Sequence, residues 1–230
     1  MPTEHLFATG AEAAADIAAR IATILSDAMA ERGVASIAVS GGRSPRPVLE
    51  ALSKAPLDWT KLVVTLVDER WVEPVSADSN ERLVRETLLQ GPAAAARFVP
   101  MKNDAVNAYA GQPAVEAAFA DLPWPLDIIL LGMGDDGHTA SLFPEGRELA
   151  DGLSSTALTI AATPPVAPHQ RISLTAHAIL QSRHVFLQIG GAGKKAVYHR
   201  ALAGGAVEEL PIRLALLQDA VPVKVWISEA

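Results

Sequence analysis

Apolar and polar positions along this chain follow two alternating rhythms. Behind Thr9-Gly10-Ala11-Glu12, residues Ile17, Ile21, Ile24, Leu25, Ala28 and Met29 recur at helical spacing, and Gly33 follows them. Threonine with glutamate three residues on forms a capping box, and a glycine just past the last apolar position stops a helix. Residues 34–40, 62–67 and 128–131 are instead short continuous apolar runs, the pattern of strands buried on both faces. Weaker strands are predicted at 157–161 and 171–174, and further ones at 184–189 and 223–227. Helices are predicted after Gly41-Gly42-Arg43-Ser44-Pro45, over 80–89, over 113–121 and over 194–203. This order implies an α/β fold, a mostly parallel Rossmann-like sheet with helices on both faces. Gly91-Pro92 and Thr163-Pro164-Pro165 mark loops. No linker is long enough to divide residues 1–230, which are read as a single domain.

Composition narrows the class. With 230 residues, 50% of them hydrophobic and 20% charged, the chain can bury a large core. No apolar run approaches the ~20 residues that span a bilayer. The N-terminus lacks a basic segment followed by an apolar one, so a cytoplasmic, non-membrane protein is expected. Zero cysteines exclude disulfides, thiolate metal sites and a cysteine nucleophile. A net charge of -7 argues against nucleic acid as a partner. An anionic small molecule would have to be held by a local basic cluster.

Three strand-end loops carry what a phosphorylated ligand needs. In Ser40-Gly41-Gly42-Arg43-Ser44-Pro45, paired glycines let backbone N–H groups approach an anion, Ser44 can cap the next helix, and Pro45 suits its first turn. A tight turn without a ligand explains the same residues, and neither the Walker pattern nor a full G-x-G-x-x-G is present. Asp68-Glu69-Arg70-Trp71 follows a buried strand directly: Arg70 can fork onto phosphate oxygens and Asp68 can contact sugar hydroxyls or assist proton transfer, or the group is a surface ion cluster. In Gly190-Gly191-Ala192-Gly193-Lys194-Lys195, Lys194 stands near a helix start as a point-charge partner for phosphate.

Residues 131–144, Leu-Gly-Met-Gly-Asp-Asp-Gly-His-Thr-Ala-Ser-Leu-Phe-Pro, crowd three glycines and two aspartates around His138. Open α/β sheets place their active sites in such loops at strand carboxyl ends. A neutral imidazole held by Asp136, or by Asp135, is a competent general base. The other five histidines (His5, His169, His177, His184, His199) lack an acidic, glycine-rich context and are read as structural or surface residues.

Together, Ser40–Pro45, Asp68-Glu69-Arg70-Trp71-Val72, Asp78-Ser79-Asn80, Gly132–Pro144, Arg171-Ile172-Ser173-Leu174-Thr175 and Gly191-Ala192-Gly193-Lys194 resemble the 6-phosphogluconolactonase family, the lactonase branch of the glucosamine/galactosamine-6-phosphate isomerase superfamily. The resemblance covers nearly the whole chain; one departure is Gly193, where relatives often carry glutamate. It implies hydrolysis of 6-phospho-D-glucono-1,5-lactone to 6-phospho-D-gluconate in the oxidative pentose phosphate pathway. It also implies a cytosolic enzyme without organic cofactor or required metal, acting on a small sugar phosphate; a monomer or weak homo-oligomer is expected. The expected site comprises His138 and Asp136 for catalysis, and Gly41, Gly42, Arg43, Ser44, Asp68, Arg70, Arg171 and Lys194 for substrate. The alternative is a glucosamine-6-phosphate deaminase-type isomerase. That branch carries glutamate where this chain has Phe143, which accepts no proton, and tyrosine where it has Arg70. A sugar-phosphate sensor domain of repressors would need an appended helix-turn-helix, for which no residues remain.

Overall fold

The computed structural model describes residues 1–229. Seven strands form a wholly parallel sheet: β1 (Thr3–Phe7), β2 (Ala35–Val39), β3 (Leu62–Leu66), β5 (Arg97–Phe98), β6 (Ile128–Leu131), β9 (Val185–Gly190) and β10 (Val223–Ser228), in the order β1-β10-β9-β6-β2-β3-β5. Every residue of β2, β3 and β6 is buried, so helices flank both faces and the apolar runs are explained. The capping box at Thr9 and Glu12 forms as predicted and starts α1 (Gly10–Arg32), which Gly33 ends at φ 76°. Glycine bears that left-handed conformation without a Cβ clash. Ile17, Ile21 and Leu25 on one side of α1 enter the common core.

The chain reverses direction of sheet growth between β2 and β6: β3 and β5 extend one way, β6, β9 and β10 the other. Ligand crevices open beyond the carboxyl ends of strands at such a switch point. The loops after β2 and β6 meet there, with the Ser40 N–H donating to the Leu130 carbonyl at 3.0 Å.

A second, antiparallel sheet departs from the sequence expectation. β4 (Asp68–Arg70), β8 (Arg171–Leu174) and β7 (Thr159–Ala162) pair in the order β4-β8-β7. Val67 joins the two sheets: its N–H donates to Val39 in the large one, and its carbonyl accepts from Leu174 in the small one. The charged Asp68-Glu69-Arg70 segment is therefore a short strand rather than a free loop.

Other boundaries shift. α2 (Arg46–Leu52) has Pro45 at its N-cap and no side-chain cap, so Ser44 does not cap it. α3 (Asn80–Thr87) is capped by Ser79, and α4 (Ala108–Ala120) begins at Asn107 with Pro113 inside it rather than at its start. Other elements were not foreseen, among them the edge strands β1 and β5 and the short helices α5 (Leu149–Ser154), α6 (Ala176–Leu180) and α8 (Arg213–Leu216). The remaining helix is α7 (Ala192–Leu202). No helix among the described residues is long and apolar enough to cross a membrane.

Candidate active site

A cleft of about 220 Å³ lies over the switch point, lined by Gly41, Gly42, Arg43, Ser44, Asp68, Arg70, His138, Arg171 and Lys194. All eight residues expected to hold substrate are thus brought to one cavity from four separate segments. Asp136 stands behind His138 rather than in the wall.

The loop after β6 is built around the imidazole. Gly134 N–H donates to the His138 carbonyl at 2.9 Å, and Gly137 N–H to the Gly134 carbonyl at 3.0 Å. Asp136 Oδ1 accepts from the His138 backbone at 3.1 Å and from Nδ1 at 2.6 Å. A carboxylate only accepts, so Nδ1 carries the proton and Nε2 is left as a lone-pair acceptor, on a residue that lines the cleft. Asp135, the other candidate partner, makes no hydrogen bond to His138. The hydrogen bond from His138 holds the Asp136 carboxyl below its ordinary range, against a smaller opposing effect of burial. Gly134 is required here: a Cβ would stand 2.2 Å from His138 Nδ1 and 2.5 Å from Asp136 Oδ1. Phe143 packs on the imidazole at 4.4 Å between ring centroids, and the Arg171 guanidinium lies 5.5 Å from the same phenyl ring.

The opposite wall is ionic. In the β4–β8 pairing Asp68 faces Ser173 and Arg70 faces Arg171, placing two cations directly across from each other on one face. Like charges so placed repel, and the arrangement suits a site awaiting an anion. Asp68 moderates it, with Oδ2 3.5 Å from Arg171 and accepting from the Ser141 hydroxyl at 2.6 Å. Burial lowers the proton affinity of Arg171, Arg70 adds to the effect, and Asp68 opposes it. Arg70 Nη1 donates to the Asp78 carbonyl at 2.6 Å.

Several contributors carried no assigned role in the sequence. Glu69, on the reverse face of β4, accepts from Arg70 N–H (2.6 Å), Ser79 Oγ (3.0 Å), Asn80 N–H (2.9 Å) and Glu81 N–H (2.7 Å). Burial raises its carboxyl above the ordinary value, and these four donors pull the other way. It locks the start of α3 to β4, so that Asn80 enters the cleft wall and its Nδ2 donates to the Asp68 carbonyl at 2.8 Å. Gly41 accommodates Asn80: a Cβ there would lie 1.7 Å from Asn80 Oδ1. Gln188, a polar interruption near the carboxyl end of β9, also lines the cleft; that interruption was its only signal. His169 has an acidic neighbour after all, Asp78 Oδ2 at 3.2 Å, brought near by folding rather than by sequence.

The family model described as glucosamine-6-phosphate isomerases/6-phosphogluconolactonase matches residues 8–225. This chain belongs to that family. Within it, the chain is 44% identical over 221 residues to the 6-phosphogluconolactonase of Pseudomonas putida, covering 95% of this chain and 90% of the relative. It is equally identical to that of Neisseria meningitidis serogroup A over 230 residues, covering 98% of each. A crystal structure of a 6-phosphogluconolactonase from Shewanella baltica superposes with a TM-score of 0.98 at 42% identity, over 99% of this chain and 98% of that one. A monomeric glucosamine-6-phosphate deaminase also superposes, with a TM-score of 0.81 at 20% identity, which speaks for a shared fold alone. The family architecture is therefore common to lactonase and deaminase, and the side chains around His138 must separate them.

Proposed function

We propose that this protein is a 6-phosphogluconolactonase, hydrolysing 6-phospho-D-glucono-1,5-lactone to 6-phospho-D-gluconate in the oxidative pentose phosphate pathway. The observation that carries the reading is His138 Nε2, without a partner among the described residues while Asp136 holds Nδ1, in a cleft lined by Arg43, Arg70, Arg171 and Lys194. The names of the relatives support the same substrate.

In this reading the 6-phosphate is held by the Gly41–Gly42 turn, Ser44, Arg70 and Lys194. Ser44 suits this role better than its expected capping role, since its hydroxyl is not spent on α2. A dianion in so acidic a protein needs local cations. His138 Nε2 removes a proton from water as the water oxygen attacks C1. The electron pair of the carbonyl moves to its oxygen and then returns as the C1–ring oxygen bond breaks. The imidazolium gives its proton to the departing ring oxygen, and the new carboxylic acid ionises at neutral pH.

The loop N–H groups of Gly134, Gly137 and His138 are consumed within the loop, so they are not free to hold the oxyanion. Arg171, sharing the Phe143 ring with His138, is the better-placed counter-charge. Phe143 also supplies no carboxylate beside the imidazole, which disfavours deaminase-type ring opening.

The direct test is turnover of freshly generated phosphogluconolactone, corrected for spontaneous opening. Accelerated hydrolysis with no release of ammonia from glucosamine 6-phosphate is the expected result. The reverse pattern would assign the chain to the other branch.

A further inference from the structure

Beside the cleft lies a second cavity of about 300 Å³, which shares Gly42, Arg43, Arg70 and Asn80 with it. Its outer wall adds Arg46 and Arg82, so four guanidinium groups line it against one carboxylate, Glu86. Arg82 is braced by Glu86 at 2.7 Å and by the Val75 carbonyl at 2.9 Å. Arg46 is only loosely tied, 3.7 Å from Glu50 and 3.9 Å from Glu86. Those separations exceed hydrogen-bond length. In a chain of net charge -7, gathering these cations at one mouth costs self-repulsion unless an anion visits. Grooves lined by one sign of charge concentrate counter-ions and raise association rates.

We propose that this groove is a docking subsite for phosphorylated small anions, which lodge between Arg46 and Arg82 before passing Arg43 and Arg70 into the cleft. The identity of the anion rests on the lactonase reading; its charge class rests on the arginines alone. Arg46 and Arg82 lie outside the cleft wall, so their removal leaves the chemical step intact.

The experiment compares wild type with the Arg46→Gln/Arg82→Gln double variant at low and at high salt. For the phosphorylated lactone at low salt, kcat/KM should fall about three- to tenfold with kcat unchanged, because steering acts on encounter. At about 0.5 M salt the two proteins should converge, since the Debye length is then a few ångströms. Unphosphorylated gluconolactone should show no difference, and Arg46→Lys/Arg82→Lys should restore the wild-type value. No loss, an equal loss at both salts, or an equal loss for both lactones would overturn the proposal. If wild type fails to turn over the phosphorylated lactone, the lactonase reading fails alone. The groove is then judged by titrating inorganic phosphate at low salt while following backbone amide resonances of Arg46 and Arg82. Shifts in wild type support the subsite, and their absence overturns it.

Discussion

The two walls of the cleft are built on different principles. The wall on the large parallel sheet relies on backbone: Gly41 leaves room for the Asn80 side chain, Gly134 for the imidazole, and the loop satisfies itself with its own hydrogen bonds. The wall on the small antiparallel sheet relies on buried charge, with Arg70 opposite Arg171 and with Asp68 and Glu69 holding them. At Gly41 and Gly134 that wall is set by steric necessity and has no space for an added Cβ. Ion-built walls are set by competing desolvation and attraction, and respond to pH, salt and ligand.

Perturbing each wall sharpens the contrast. The largest effect is expected for His138→Ala: kcat for the lactone falls about 10²–10⁴-fold while product binding, followed calorimetrically, stays close to wild type. Unchanged turnover would remove the imidazole from the reaction. Next, Arg70→Gln should raise KM for the phosphorylated lactone about ten- to a hundredfold, as losing a charged hydrogen bond of ~1.5–3 kcal/mol implies, with little change for unphosphorylated lactone. An equal rise for both would take phosphate away from the ionic wall. Gly41→Ala forces Asn80 from its place and should cost the protein about 1–3 kcal/mol by overpacking, read as a lowered denaturation midpoint.

Glu69→Gln should cost a similar ~1–3 kcal/mol, because an amide cannot accept from all four donors, and here the sign in pH discriminates. Burial raises the folded carboxyl above its ordinary 4.5, so its stabilising contribution is full below that value and declines as pH rises through the folded one. The stability gap between wild type and Glu69→Gln therefore narrows with rising pH, whereas the Gly41→Ala gap stays flat. The smallest effect belongs to Asp136. Its carboxyl is depressed below 3.8 by the His138 bond, so its stabilisation holds above that pH and is lost as pH falls through the folded value. Asp136→Asn should flatten only that acid limb of the unfolding curve.

The same contrast explains what was legible in the sequence. Glycine-rich loops after apolar strands announce themselves locally, so the Gly41–Ser44 turn and the His138 loop were placed at the right strand ends. The capping box at Thr9 was equally local and formed as written. Asp68-Glu69-Arg70 carries no strand signal of its own, because its pairing depends on β8, a hundred residues away in sequence. Asn80 and Glu69 likewise gain their roles only through contacts made after folding. Pro113 misled by a local rule: proline favours a helix start, but the cap at Asn107 and packing of α4 outweighed it. Choosing between Asp135 and Asp136 needed coordinates, since both stand close enough in sequence to reach His138.

The outermost strand of the large sheet, β1, hydrogen-bonds to β10 alone, with Thr3 against Lys224 and Phe7 against Ser228. In synthesis β1 must therefore wait for β10 to be made before it has a partner. Until then α1 is tethered to an unpaired ribbon, and closing that ring is a long-range, entropically slow event. Synthesis from amino to carboxyl end thus delays completion of this edge until β10 has emerged, and removing β10 would unmoor β1.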